Sequence, residues 1–127
     1  MPDYILDASA VLALLNDEEG ASLVQDCLPE AVMSAANLAE VVTRLSAASM
    51  PEYAIRDSLA LLGLEIEAFN EEQAYQAGLI YSKVKIFGLS LGDRACLALA
   101  RRLGAVAVTA DRAWGNLEVG VAVKVIR

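Results

Sequence analysis

YILDASAVLALL, residues 4–15, decides how the rest of the chain is read. Tyr4, Ile5 and Leu6 have the β-forming character of a short buried strand. The run is broken by one carboxylate, Asp7, and after Ser9 the apolar residues recur at helical spacing. A strand ending at Asp7 and a helix starting near Ser9 make the first half of a strand-helix-strand unit. Asp7 then has two explanations. Locally, a helix start needs a side chain that accepts from its free N–H groups, and Asp does this well. Alternatively, Asp7 belongs to a site assembled from distant parts of the chain.

Outward from this stretch the alternation continues. Segments rich in β-branched residues occur at YIL (4–6), AVMS (31–34), LEIEAF (64–69), AVAVTA (105–110) and VAVKVI (121–126). Helical patterns lie between them at 9–16, 20–28, 35–48, 51–62, 71–86 and 92–103. Pro51 suits the first turn of its helix, and Gly63, Gly88 and Gly104 stand where helices should stop. Alternating strands and helices predict a parallel α/β sandwich with right-handed crossovers. No repeats, low-complexity tracts or linkers interrupt it, and 127 residues are expected to form one domain, residues 1–127. In such sheets ligands bind at the carboxyl ends of the strands, near the point where the strand order reverses.

Composition narrows the chemistry. Hydrophobic residues make up 57% of the chain, yet no run approaches the roughly 20 apolar residues of a membrane span. MPDYIL lacks the basic start and apolar stretch of a secretory signal, so a cytoplasmic location is expected. Cys27 and Cys96 are far apart in apolar helical surroundings and read as buried reduced thiols. There is no histidine, which excludes an HExxH zinc site, a Ser-His-Asp triad and a histidine general base. A net charge of −7 disfavours a coat protein that binds nucleic acid by bulk positive charge. It leaves open an enzyme whose acids converge on a cation.

Four acids are candidates for such a site, and each has a bland alternative. Asp7 caps a helix. Glu40 lies with Asn37 and Arg44 on a polar stripe of the helix ANLAEVVTRLSAAS, opposite Leu38, Val41, Val42 and Leu45, where a solvated stripe is the ordinary role. Asp93 falls in SLGD, where Ser90 and Asp93 fit a capping box. Asp111 follows the AVAVTA strand and could cap the turn toward Trp114. Taken together they are less bland, because the expected fold can bring all four to one edge of the sheet. Like charges about 4 Å apart repel by roughly 4 kcal/mol per pair at an effective dielectric near 20. Such a cluster calls for cations, and oxygen ligands without His or Cys suit Mg²⁺ or Mn²⁺ rather than zinc.

YILDASAVLALL, NLAEVVTRL, LSLGDRACLALA and VTAD stand in the order and spacing of the PIN domain, and the chain most resembles the VapC-type toxin ribonucleases over essentially its whole length. The resemblance implies a three-layer α/β/α fold around a parallel sheet of about five strands. It also implies a metal-dependent endoribonuclease with an acidic pocket of Asp7, Glu40, Asp93 and Asp111, supported by the hydroxyls of Ser9 and Thr109. Many relatives carry a further acid after the last one; here Asn116 is the nearest candidate, able to offer a neutral oxygen, although a plain turn residue in WGN is its ordinary role. A homodimer and a small VapB-like antitoxin covering the acidic groove are implied as well.

The expected chemistry is in-line attack by a water activated by one or two Mg²⁺ or Mn²⁺ ions, which Asp7, Asp93 and Asp111 hold, with Glu40 directly or through water. Arg44, Arg94, Lys83 and Lys85 are candidate phosphate contacts, each otherwise a surface charge or ion-pair member. Arg101 and Arg102 suit the carboxyl end of their helix, and Trp114 suits packing better than base stacking. Leu59, Leu61 and Leu62 fit either core or a helix-binding groove. A haloacid-dehalogenase-type phosphatase needs an acid where Ser9 stands, and a receiver domain needs a lysine on a late strand other than the last. The remaining rival is the same fold acting as a non-catalytic protein- or RNA-binding module. Which RNA is cut, one loop of a transfer RNA or more, is left open.

Overall fold

The computed structural model describes residues 2–127. Strands β1 (Tyr4–Leu6), β2 (Ala31–Ser34), β3 (Glu65–Glu67), β4 (Val106–Thr109) and β5 (Val123–Val125) form one parallel sheet in the order β3-β2-β1-β4-β5. Helices α1 (Ala8–Leu15), α2 (Ala21–Cys27), α3 (Ala35–Ala47), α4 (Glu52–Ala60), α5 (Glu71–Leu79), α6 (Tyr81–Val84) and α7 (Leu91–Leu103) flank it. The chain runs outward from β1 to β3, then returns to place β4 on the other side of β1. The reversal point therefore lies between β1 and β4, beside Asp7.

Side chains alternate across the strands and build two cores. Ile5, Val32 and Ala107 face α5, α6 and α7, meeting Ala77, Ile80, Val84, Leu97 and Trp114. Leu6, Met33 and Val108 face α1 to α4, meeting Val11, Val24, Val41, Leu45 and Ile55. This is the three-layer α/β/α arrangement. Both cysteines are buried and free, and burial pushes the Cys96 thiol well above its usual range. No helix among the described residues is long and apolar enough to cross a membrane.

Local expectations and observed elements differ in instructive places. The first helix begins at Ala8, one residue earlier than expected, with Asp7 as its cap. The pattern at 71–86 is not one helix. It ends as α5 at Leu79, resumes as the single turn α6 and tightens into a 3-10 turn at Lys85–Phe87. Gly78 weakens the last turn of α5, and the altered path buries both Ile80 and Val84. The 64–69 segment contributes only Glu65–Glu67 as strand, because β2 ends at Ser34, the partner of Glu67, and offers no ladder beyond it. Gly63, Gly88 and Gly104 take the left-handed conformation where helical segments stop, as a C-terminal glycine should.

Candidate active site

Asp7 caps its helix, and its carboxylate also gathers groups from distant parts of the chain. It follows β1 directly, and its N–H donates to the Val108 carbonyl at 3.0 Å, which ties the end of β1 to β4. One carboxylate oxygen, Oδ1, accepts from the Ala10 N–H at 2.9 Å and from the Ser9 hydroxyl at 2.8 Å. The other, Oδ2, accepts from the Thr109 hydroxyl at 2.7 Å. The network continues, because Ser9 Oγ accepts from the Ala110 N–H and Thr109 Oγ1 from the Asp111 N–H. Asp7 is only 3% exposed, and its side-chain hydrogen bonds come from neutral donors. Burial, with a smaller contribution from the charge of Asp93, raises its pKa from 3.8 to about 6 against the lowering effect of these hydrogen bonds.

The other three acids reach the same place from other elements. Glu40, on α3, is half-buried, and its pKa is raised first by burial and then by Asp93, while its bond to Asn37 opposes the shift. Asp93 completes the expected capping box of α7: its Oδ2 accepts from the Ser90 N–H, and its own N–H donates to Ser90 Oγ. Asp111 is exposed, and its Oδ1 accepts from the Ala113 N–H at 3.0 Å. All four line one cleft of about 690 Å³ with Ser9, Asn16, Glu18, Thr43, Arg44 and Arg127. Thr109 lies fully buried beneath it.

The donor set tests what the cleft can hold. Its lining has carboxylates and hydroxyls but no His or Cys, which is chemistry for a hard divalent cation. The second oxygens of Asp93 and Asp111 are not taken by their capping bonds. Among the described residues, no three acids already stand as a closed cation cage. The cleft thus fits the expected metal by donor type, with the four carboxylates sharing a wall rather than enclosing a point.

The basic candidates separate. Arg44 lines the cleft, and no ion pair engages it among the described residues. Arg94 turns away, donating to the Ala77 carbonyl at 3.0 Å and lying over the Tyr81 ring. Lys83, Lys85 and Asn116 are exposed and outside the cleft lining. Arg101 and Arg102 occupy the last turn of α7, the first bonded to Gln76 and the second paired with Glu67. Trp114 is buried packing. Sequence reasoning did not single out Glu18 and Arg127, which pair at 3.1 Å across the cleft rim. Nothing local signals that pairing, since 109 residues separate them.

Comparison with known proteins bears on the family and the fold. The PIN domain family model matches residues 4–119. VapBC2 from Rickettsia felis, solved bound to a DNA fragment from its promoter, superposes with a TM-score of 0.75 at 17% identity, covering 95% of this chain and 96% of that one. VapC20 from Mycobacterium tuberculosis, described as a sarcin-ricin loop cleaving toxin, gives 0.72 at 18% identity over 94% and 99%. DNA-bound VapBC from Salmonella typhimurium gives 0.70 at 19% identity over 100% of both chains. These identities carry the fold. No curated protein matches the chain.

Proposed function

Since the chain belongs to the PIN domain family, we propose that it is a metal-dependent endoribonuclease, the VapC-type toxin of a toxin-antitoxin pair, acting in the cytoplasm as one domain over residues 1–127. The observation that carries this reading is the cleft itself: four carboxylates from four elements, without His or Cys, at the reversal point of the sheet. Asp7, Asp93 and Asp111 would hold Mg²⁺ or Mn²⁺, with Glu40 directly or through water. When bound, such an ion supplies a low-pKa water and positive charge for the phosphodiester oxygens.

The chain's own residues hold that site ready. Ser9, Thr109 and the Ala10 N–H fix the Asp7 carboxylate, so it needs no reorganisation when a cation arrives. The capping box orients Asp93, and the turn after β4 orients Asp111. Arg44, unpaired on the cleft wall, offers its guanidinium to a phosphate oxygen of the bound strand. RNA as substrate is supported by the family resemblance and by the description of VapC20.

A VapB-like antitoxin is the proposed partner, as in the VapBC neighbours. An apolar groove of about 820 Å³ between α3, α4 and β3, lined by Met33, Val42, Ile55, Leu59 and Leu62 among others, supports this. A helix that lays apolar anchors into such a groove would bind there. Homodimerisation is supported by exposed Tyr75, Leu79, Tyr81, Ile86 and Leu91, which run from α5 to the start of α7; light scattering showing a clean monomer at micromolar concentration would count against it.

The deciding experiment incubates the protein, free of antitoxin, with structured RNA in Mg²⁺, Mn²⁺ or EDTA, alongside Asp7→Asn and Asp93→Asn. Metal-dependent cleavage lost in both variants is expected. No cleavage of a broad RNA panel, with no rise in melting temperature in Mn²⁺, would turn the assignment to a binding module.

A further inference from the structure

Two residues outside the acidic set have no local reason for their identity and explain each other once seen together. Asn37, in the first turn of α3, is completely buried. Its Nδ2 donates to Glu40 Oε1 at 3.2 Å and to the Gly92 carbonyl of α7 at 3.0 Å. Its Oδ1 is buried with no partner. Reversing the amide would not help, because it would point an acceptor at a carboxylate and a carbonyl. A buried acceptor left unpaired costs free energy, so helix stability alone does not favour this arrangement. The arrangement keeps both amide protons on Glu40 and α7.

Gly92 supplies the other half. It sits in the first turn of α7, where its backbone is ordinarily helical and no left-handed conformation calls for glycine. Alanine would favour the helix more. A Cβ built on Gly92, however, would overlap the Glu40 carboxylate. The bare Cα is the floor on which that carboxylate rests.

We propose that the Asn37 amide and the bare Cα of Gly92 form a latch that positions the Glu40 carboxylate beside Asp93 in the cleft. Both are positioning residues, acting through Glu40. The proposal rests on the nuclease reading for its functional consequence, though not for its geometry. The atoms a new Cβ would meet are the far end of one flexible side chain. Gly92→Ala therefore evicts Glu40 while the fold survives, which separates positioning from stability.

The test compares wild type, Gly92→Ala, Glu40→Gln and the double variant by thermal melting, Mn²⁺ binding without RNA, steady-state RNA cleavage and NMR of the Asn37 side-chain amide. For Gly92→Ala we expect an unchanged or higher melting temperature, Mn²⁺ affinity weakened about tenfold and kcat lowered tenfold or more, with KM within twofold. In the Glu40→Gln background, adding Gly92→Ala should change kcat by less than twofold, because the residue it acts through has already lost its charge. The Asn37 amide protons should exchange slowly in wild type and faster in Gly92→Ala. Wild-type-like Mn²⁺ binding and turnover in Gly92→Ala would overturn the latch, as would equal losses in the two backgrounds. If wild type neither binds Mn²⁺ nor cleaves RNA, the nuclease reading fails, and the amide exchange alone then decides the latch: protection lost on Gly92→Ala upholds it, and unprotected protons in wild type overturn it.

Discussion

Helix α3 separates two concave surfaces built on opposite physics. On one side, Glu40, Thr43 and Arg44 face the acidic cleft; on the other, Leu38, Val42 and Ser46 face the apolar groove toward α4. In the cleft the three aspartates are held by capping bonds and Glu40 by the Asn37 amide. The groove is lined mostly by aliphatic side chains, and two of them, Val42 and Ile66, are 36% and 38% exposed. The cleft has its geometry set and carries five acids against two arginines. The groove has its charge settled and its apolar surface unfinished. The two surfaces therefore suit different chemistries: one is dominated by carboxylate oxygens, the other by aliphatic side chains.

The strongest way to break this contrast is at Asp7. Asp7→Asn should lower metal-dependent RNA cleavage by roughly a hundredfold or more, since it removes the proposed ligand held by the most hydrogen bonds; cleavage assays in Mn²⁺ would show it, and retained activity would end the metal-site proposal. The same change should make the metal-free protein more stable at pH 7. Because the folded-state pKa is about 6 against 3.8, the folded protein binds more protons between those values. Stability therefore falls as pH rises from about 4 to about 6, and the penalty is complete above that. Two pKa units set a ceiling of roughly 3 kcal/mol. Denaturant melts across that range should slope downward for the parent and flatten for Asp7→Asn, and Mn²⁺ should recover stability only in the parent.

A charge placed in the groove tests the other side. Val42→Asp, at a partly exposed position, should weaken binding of an apolar helical partner about tenfold or more while leaving RNA cleavage within twofold, as calorimetry and the nuclease assay would report. If cleavage also collapsed, the two surfaces would not be independent. Arg44→Ala should raise KM a few-fold and lower the salt slope of RNA binding by about one, with little change in kcat. Far from both surfaces, Gly104→Ala places a Cβ at φ +63 and should cost about 1 kcal/mol by thermal melting with no effect on turnover.

Much was legible without tertiary information, and for one reason: it depended on neighbours in sequence. Asp7 as a cap, Ser90 with Asp93 as a capping box, the glycine stops and the alternation of strands with helices all follow from backbone hydrogen bonding within a few residues. The four acids were identifiable because strand ends and a polar helical stripe are local features. What failed was local too, but overruled. The 71–86 pattern breaks because burying Ile80 and Val84 outweighs helix continuity, and Arg94 points to Ala77 and Tyr81 although it adjoins Asp93 in sequence.

By itself, then, the sequence determined most of the element types, the caps and the exclusion of any histidine chemistry. Only the tertiary structure decided that β4 lies beside β1, which puts Thr109 on Asp7 across 102 residues, and that Asn37 meets Gly92 across 55. It alone divided α3 into a wall of the cleft and a wall of the groove. The physical reason is that strand order and helix docking are set by burial of the two cores as a whole, a quantity to which every element contributes and which no single stretch encodes.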